Sequence, residues 1–264
     1  RLARFASDKV RALLAYVAVT AGQPHRRDTL AGLLWPNVPD ATSRNSLRQA
    51  AFQLRRALND RDPLRPYLLT TPQSIEFNAD SDYWLDVTAF TALLNACESH
   101  PHLEAETCAL CAERMTRAVE LYRGGFLAGF SAPGCVELEE WVLMKQEELH
   151  NSAVSALSCL TDYHLAVGNL AAAGRYAGRQ LEMEPWREEA HRQRMQALAQ
   201  SGQFSAALHQ YEACKRVLAD SLSIEPAAKT ARLAEGIRNQ MVADTGAADG
   251  LPTSRAMDVD ARHA

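Results

Sequence analysis

The chain has 264 residues, 47% hydrophobic and 23% charged, with a formal net charge of −4, enough for two modest domains with their own cores. It contains no run of about eighteen apolar residues and opens on no signal-peptide pattern. No membrane-spanning helix is therefore expected, a cytoplasmic location is the default, and the 6 cysteines need not pair as disulfides.

Charge is divided unevenly. Residues 1–80 carry 12 Lys and Arg against 7 Asp and Glu, whereas residues 81–264 carry 16 against 25. A basic front on an acidic remainder suits an electrostatic footprint for a polyanion, although the modest surplus predicts weak, salt-sensitive binding by a single copy.

The first helix is predicted after Ser7, whose hydroxyl can cap it. Val10, Leu13, Leu14, Val17 and Ala18 recur at helical spacing, and Gly22 closes the segment. A short helix over Arg26 to Leu34 follows and is stopped by Pro36. The segment from Asp40 to Asn59 has no internal Gly or Pro and is read as a long helix with Asp40 as its cap. Leu47, Ala51, Leu54 and Leu58 make its apolar stripe.

Asn45, Gln49, Phe52 and Arg56 fall opposite that stripe, with Arg44, Arg48, Gln53 and Arg55 beside it. Forked and amide donors of this kind read base edges in a groove wide enough for a helix, and the cations suit phosphates. Arg44, Asn45, Arg48 and Gln49, toward the N-terminal half, are the expected base or near-base contacts, with Arg55 and Arg56 on phosphates. The bland alternative is an ordinary solvated helix face rich in Arg and Gln.

Residues 66–78 read as strand, turn and strand, with Ile75 and Phe77 alternating with Glu76. The tip carries Thr71, Gln73 and Ser74, expected to touch DNA backbone or minor groove. The alternative is a plain hairpin closing a small sheet. Helix, short helix, long helix and hairpin is the order of a helix-turn-helix with a wing.

From Asp86 onward the pattern is helical almost throughout, with one helix over Ala109 to Tyr122 and a long one, or two, over 137–167. Just before and at the start of the first of these, His100-Pro-His102 and Cys108-Ala-Leu-Cys111 have spacings that can close a tetrahedron around a structural zinc ion, with Cys97 as a substitute ligand. The alternative is a buried helical Cys111 and polar loop histidines.

Further on, Gly168 and Gly202 are 34 residues apart. Leu170 aligns with Phe204, Ala172 with Ala206 and Ala173 with Ala207. This is the tetratricopeptide period, which builds a short stack of antiparallel helices able to receive a protein or peptide partner. Trp141, Trp186 and Tyr211 are expected to be packing residues. Residues 243–264, rich in Ala, Asp and Gly, read as a flexible linker or tail.

No phosphate-binding glycine loop, nucleophile elbow or H-E-x-x-H pair is present, and the adjacent Glu pairs on helices do not converge. The chain is read as a non-enzyme.

Residues 7–16, 22–27, 30–36 and 47–56, together with Leu121-Tyr-Arg-Gly-Gly-Phe-Leu127 and residues 182–191, resemble the bacterial transcriptional activator domain proteins, which include the antibiotic regulatory proteins of actinobacteria. The likeness runs over residues 5 to 240. It implies a mainly α chain: a winged helix-turn-helix domain over 1–80, then an all-α tetratricopeptide-like domain over 81–242. It also implies double-stranded DNA as partner, transcriptional activation, and RNA polymerase facing the Trp35–Pro39 loop. Family members open with β-strands before the first helix, so a chain starting at Arg1 without Met is expected to be N-terminally truncated. Binding as a homodimer would supply the affinity that one weakly basic domain lacks. The alternative function is an interaction scaffold that uses the helical repeats and carries a degenerate winged helix.

Overall fold

The computed structural model describes residues 5, 7–62, 64–101 and 107–248. Its mainly α fold divides into two compact units. The first holds every element up to the middle of a long helix, as far as Ala156, and the second continues from Leu157.

The first unit opens with α1 (Asp8–Val19), β1 (His25–Arg26), α2 (Arg27–Leu34) and α3 (Asp40–Ala57). The hairpin β2 (Leu68–Thr70) and β3 (Ser74–Phe77) follows. Ser7 caps α1 as expected, its hydroxyl accepting from the Val10 N–H. Asp40 is not the cap of α3. Pro39 holds that position and Asp40 is the first helical residue, where its carboxylate complements the positive helix end.

The apolar stripe of α3 is buried through Leu47, Ala51 and Leu54, with Leu58 packed partly buried beside them. These side chains meet Leu13 and Val17 of α1, Leu30 and Leu34 of α2, and Leu68, Ile75 and Phe77 of the hairpin in one core. Each fully buried Leu contributes about 1.5–3 kcal/mol through removal of apolar surface from water.

The sheet has three strands in the order β1-β3-β2, all antiparallel, with His25 opposite Ile75 and Leu68 opposite Phe77. Strand β1 was not expected from the sequence, because two residues are too short to show an alternation. Gly22 makes the sheet accessible from α1. Its φ of +83° suits a residue without a Cβ, and its N–H donates to the Phe77 carbonyl at 3.0 Å.

Helices α4 (Asp86–Glu98) and α5 (Ala109–Leu121) pack against each other, and α6 (Val136–Ala166) is a single helix of 31 residues. The winged-helix core also draws on side chains well beyond residue 80. Ala132, Cys135 and Leu138 are buried in it, with Phe130 and Trp141 packed alongside. The Cys135 thiol donates to the Leu34 carbonyl at 3.1 Å, and the Arg11 guanidinium lies 5.3 Å from the centre of the Phe130 ring. The compact division falls within α6, because these side chains complete the core of the first unit.

The second unit contains α7 (Leu170–Met183), α8 (Glu188–Gln200), α9 (Phe204–Leu222) and α10 (Ala228–Ala248). Gly168 and Gly202, with φ of +74° and +75°, occupy equivalent turns before α7 and α9. Small Ala172, Ala173, Ala177 and Ala207 are buried where helices touch. A polar network crosses this packing. Gln180 Nε2 donates to Thr161 Oγ1 at 3.0 Å and to Gln193 Oε1 at 2.9 Å, and Gln193 Nε2 donates to Asp162 Oδ1 at 2.7 Å. Trp186, expected to pack, is instead 47% exposed. Helix α10 runs to Ala248, past the expected tail boundary at residue 243, because Ala-rich sequence sustains a helix. The remainder of the expected tail lies outside the described residues.

Candidate nucleic-acid interface

Helix α3 presents the predicted face. Arg44, Asn45, Arg48, Gln49, Phe52, Gln53 and Arg56 are all exposed, while Ser43, Leu47, Ala50, Ala51 and Leu54 are buried. The periodicity that turns the leucines inward turns these polar groups outward, so burial of one face fixes the presentation of the other.

The cations differ in how they are held. Arg44 Nε donates to Asp28 Oδ1 at 2.8 Å. Both side chains are well exposed, so the pair is weak and screened, and Arg44 keeps access to an incoming anion. Arg55, expected on a phosphate, is held against the wing. Its Nη2 donates to the Leu68 carbonyl at 2.9 Å and to Thr70 Oγ1 at 3.1 Å, and its Nε lies 3.7 Å from Asp60 Oδ2. Asp60 is nearly fully buried and also accepts from the Tyr67 N–H at 2.8 Å and the Leu68 N–H at 3.3 Å. Arg55 and Asp60 together tie the end of the long helix to the first strand of the wing. Helical spacing alone could not show this, because the partner strand is remote in sequence.

The tip of the wing is built by Thr71. Its hydroxyl accepts from the Ser74 N–H at 2.9 Å and the Gln73 N–H at 3.2 Å, and its own N–H donates to the Ser74 carbonyl. Thr71 and Gln73 are exposed and Ser74 is half-buried.

Arg27, which the sequence reading passed over, anchors this tip. Its Nε donates to the Thr71 carbonyl at 2.8 Å and its backbone N–H donates to the Gln73 carbonyl at 2.9 Å. Burial, and then the positive charges of Arg48 and Arg55, push its guanidinium below the ordinary arginine range. Three cations therefore share one field between α2, α3 and the wing. The Arg26-Arg27 pair is the one sequence signal that pointed there.

Of the four residues expected to hold zinc, His100, Cys108 and Cys111 bring their ligand atoms within 4.8 Å of one another. His102 lies outside the described residues.

The sequence profile of the bacterial transcriptional activator domain matches residues 85–238, more than half of the chain. The chain belongs to the bacterial transcriptional activator domain family.

Two curated relatives extend the match toward the front of this family member. The regulatory protein AfsR of Streptomyces coelicolor is 28% identical over 83% of this chain and 21% of its own length. The transcriptional regulatory protein MoaR1 of Mycobacterium tuberculosis is 26% identical over 89% of this chain and 74% of its own. The chain thus spans about a fifth of AfsR and about three quarters of MoaR1. Among solved structures, Mycobacterium tuberculosis EmbR in complex with a low affinity phosphopeptide superposes with a TM-score of 0.64 at 23% identity, covering 94% of this chain and 65% of that one. That likeness concerns the fold. No helix among the described residues is long and apolar enough to cross a membrane.

Proposed function

We propose that this bacterial transcriptional activator domain protein binds double-stranded DNA and activates transcription, with α3 entering the major groove. The observation that carries the reading is the uninterrupted exposed face of α3, on which Asn45, Arg48, Gln49 and Arg56 stand outward over a fully buried stripe. Asn45, Arg48 and Gln49 supply the donor patterns that distinguish adenine and guanine edges, with Arg44 released from its exposed pair to join them. Arg56 meets the phosphates, and Thr71, Gln73 and Ser74 bring the wing to the flanking backbone or minor groove. Arg55 acts mainly by holding the wing to the helix.

Two copies on paired half-sites supply the affinity that one domain with a modest basic surplus lacks. The Trp35–Pro39 loop faces RNA polymerase, and the repeats of the second unit receive a protein or peptide partner. The names of AfsR and MoaR1, both regulators, support the reading.

The test is a gel shift on DNA upstream of the neighbouring genes at two salt concentrations, with the wild type and Arg48→Ala. Salt-sensitive binding that Arg48→Ala weakens by about 1–3 kcal/mol on the specific site, and not on random DNA, supports the reading. The absence of a shift at low salt defeats it and leaves a scaffold built on the helical repeats.

A further inference from the structure

We infer that the joint between α4 and α5 is a zinc site whose ligands include His100 Nδ1 or Nε2 and the sulfurs of Cys108 and Cys111. The three donors belong to twelve residues of chain, and their ligand atoms already lie within 4.8 Å of one another. A tetrahedral zinc ion with Zn–S bonds of about 2.3 Å holds two sulfurs about 3.8 Å apart, so closure requires only a small inward movement. The chemistry of the set is selective. Two thiolates and an imidazole suit zinc, whereas calcium and magnesium prefer oxygen donors.

The backbone explains why the donors meet. Cys108 immediately precedes α5 and Cys111 stands in its first turn, so the spacing of three residues puts both sulfurs on one side of the helix. The N-terminal end of α5 carries partial positive charge, which suits anionic sulfur. His100 stands two residues past the end of α4, its N–H donating to the Cys97 carbonyl at 3.2 Å. The helices are also joined around the site. Arg114 Nη1 donates to the Ala96 carbonyl at 2.7 Å, and the Cys97 thiol, 3.4 Å from the Leu93 carbonyl of its own helix, also lies 3.7 Å from the Cys111 carbonyl. The Cys97 thiol is turned to these carbonyls, and the geometry assigns it no metal.

Zn²⁺ entering the site forms two Zn–S bonds and one Zn–N bond while the two thiols release their protons to solvent, with no change of oxidation state. Water completes the tetrahedron. The metal clips the end of α4 to the start of α5 inside the family's activator domain. This site is separate from the proposed DNA-binding face and does not rest on that reading.

The experiment uses the full chain, purified without chelator in the presence of a mild reductant, with zinc measured by atomic spectroscopy and by competition with a chromogenic chelator. Close to one zinc per chain is expected. Changing even an outer-shell partner of a metal site costs about 10–100-fold in affinity, so Cys108→Ser and His100→Ala should each cost at least tenfold. Cys97→Ser and Cys159→Ser, the latter at an exposed cysteine, should leave zinc content unchanged. Cobalt added to metal-free protein should give a sulfur-to-cobalt charge-transfer band that Cys108→Ser diminishes. Circular dichroism of each variant separates loss of metal from loss of fold. The inference is overturned if the folded wild type neither retains zinc nor binds cobalt, if a folded Cys108→Ser keeps full zinc affinity, or if Cys108 and Cys111 form a disulfide under these conditions.

Discussion

Tyr16 on α1 and Trp141 on α6 pack with ring centroids 4.9 Å apart and planes tilted by 57°. Phe126 meets the same indole edge-on at 5.6 Å, and His25 lies 5.0 Å from Tyr16 on its other side. The winged helix therefore shares its core with residues that the family profile assigns to the activator domain. Aromatic pairs of this geometry add about 0.5–1.5 kcal/mol beyond burial alone.

Trp141→Ala should consequently destabilise the whole first unit, by about 3 kcal/mol, although Trp141 is far from α3 in sequence. Urea unfolding followed by circular dichroism provides the measurement. A change below about 0.5 kcal/mol would show that the shared packing contributes little.

Arg55 and Arg56 are adjacent in sequence and should behave in opposite ways. Arg55→Ala leaves Asp60 buried without its cation and frees the wing, so stability should fall by about 1–3 kcal/mol. Arg56→Ala should leave stability within about 0.5 kcal/mol and reduce the salt dependence of DNA binding by about one counterion. Equal effects of the two changes on unfolding midpoint and salt slope would refute the assignment.

Phe52 is 62% exposed in the middle of the polar face of α3, an unusual place for a phenyl ring. On DNA it is suited to contact the 5-methyl group of thymine. Replacing thymine by uracil, one position at a time in a bound site, should weaken wild-type binding at one position. Phe52→Ala should bind both duplexes equally. Uniform binding of the wild type to every uracil-substituted duplex would exclude this contact while leaving the rest of the interface in place.

His191 predicts a pH dependence in the second unit. Its Nε2 donates to the Pro185 carbonyl at 2.9 Å, which leaves Nδ1 to accept from Gln210 Nε2 at 2.6 Å. Both nitrogens are satisfied only in the neutral ring, since a proton on Nδ1 would face a donor. Burial pushes the pKa down and Arg194 adds to that, while the Pro185 carbonyl, the Gln210 backbone and Glu188 partly oppose it. The folded pKa thus lies below the unfolded value of about 6.5. Stability from this group is present above about pH 6.5 and is lost as the pH falls toward and through the folded value. Urea midpoints between about pH 7.5 and pH 5 should fall for the wild type and fall less for His191→Gln. His25 and His164 are shifted in the same direction by burial, so the comparison with the variant isolates His191. Identical slopes would show that His191 titrates normally.

The sequence disclosed those parts of the fold that follow from local periodicity. Leu47, Ala51 and Leu54 announced α3 and its outward face together, because one 3.6-residue repeat determines both. The turns at Gly168 and Gly202 announced the helical pairs, since each needs a left-handed residue at the same point of a 34-residue repeat. What stayed hidden depends on distant partners. Two-residue β1 has no pattern of its own and exists because β3 offers it a free edge. Arg55 looked like any outward cation until Asp60 and the Leu68 carbonyl were placed beside it. Cys135 and Trp141 sat in a mixed stretch whose pattern could not say which core it completes.

The tie between Arg55, Asp60 and the first strand of the hairpin makes helix and flap a calliper already set before any duplex arrives. Closing on a groove then requires little further ordering of the protein, so less of the contact energy is offset by lost freedom. The same rigidity passes the cost of any misfit to the DNA, and sites whose groove width matches the set opening would be favoured even at base pairs that no side chain touches.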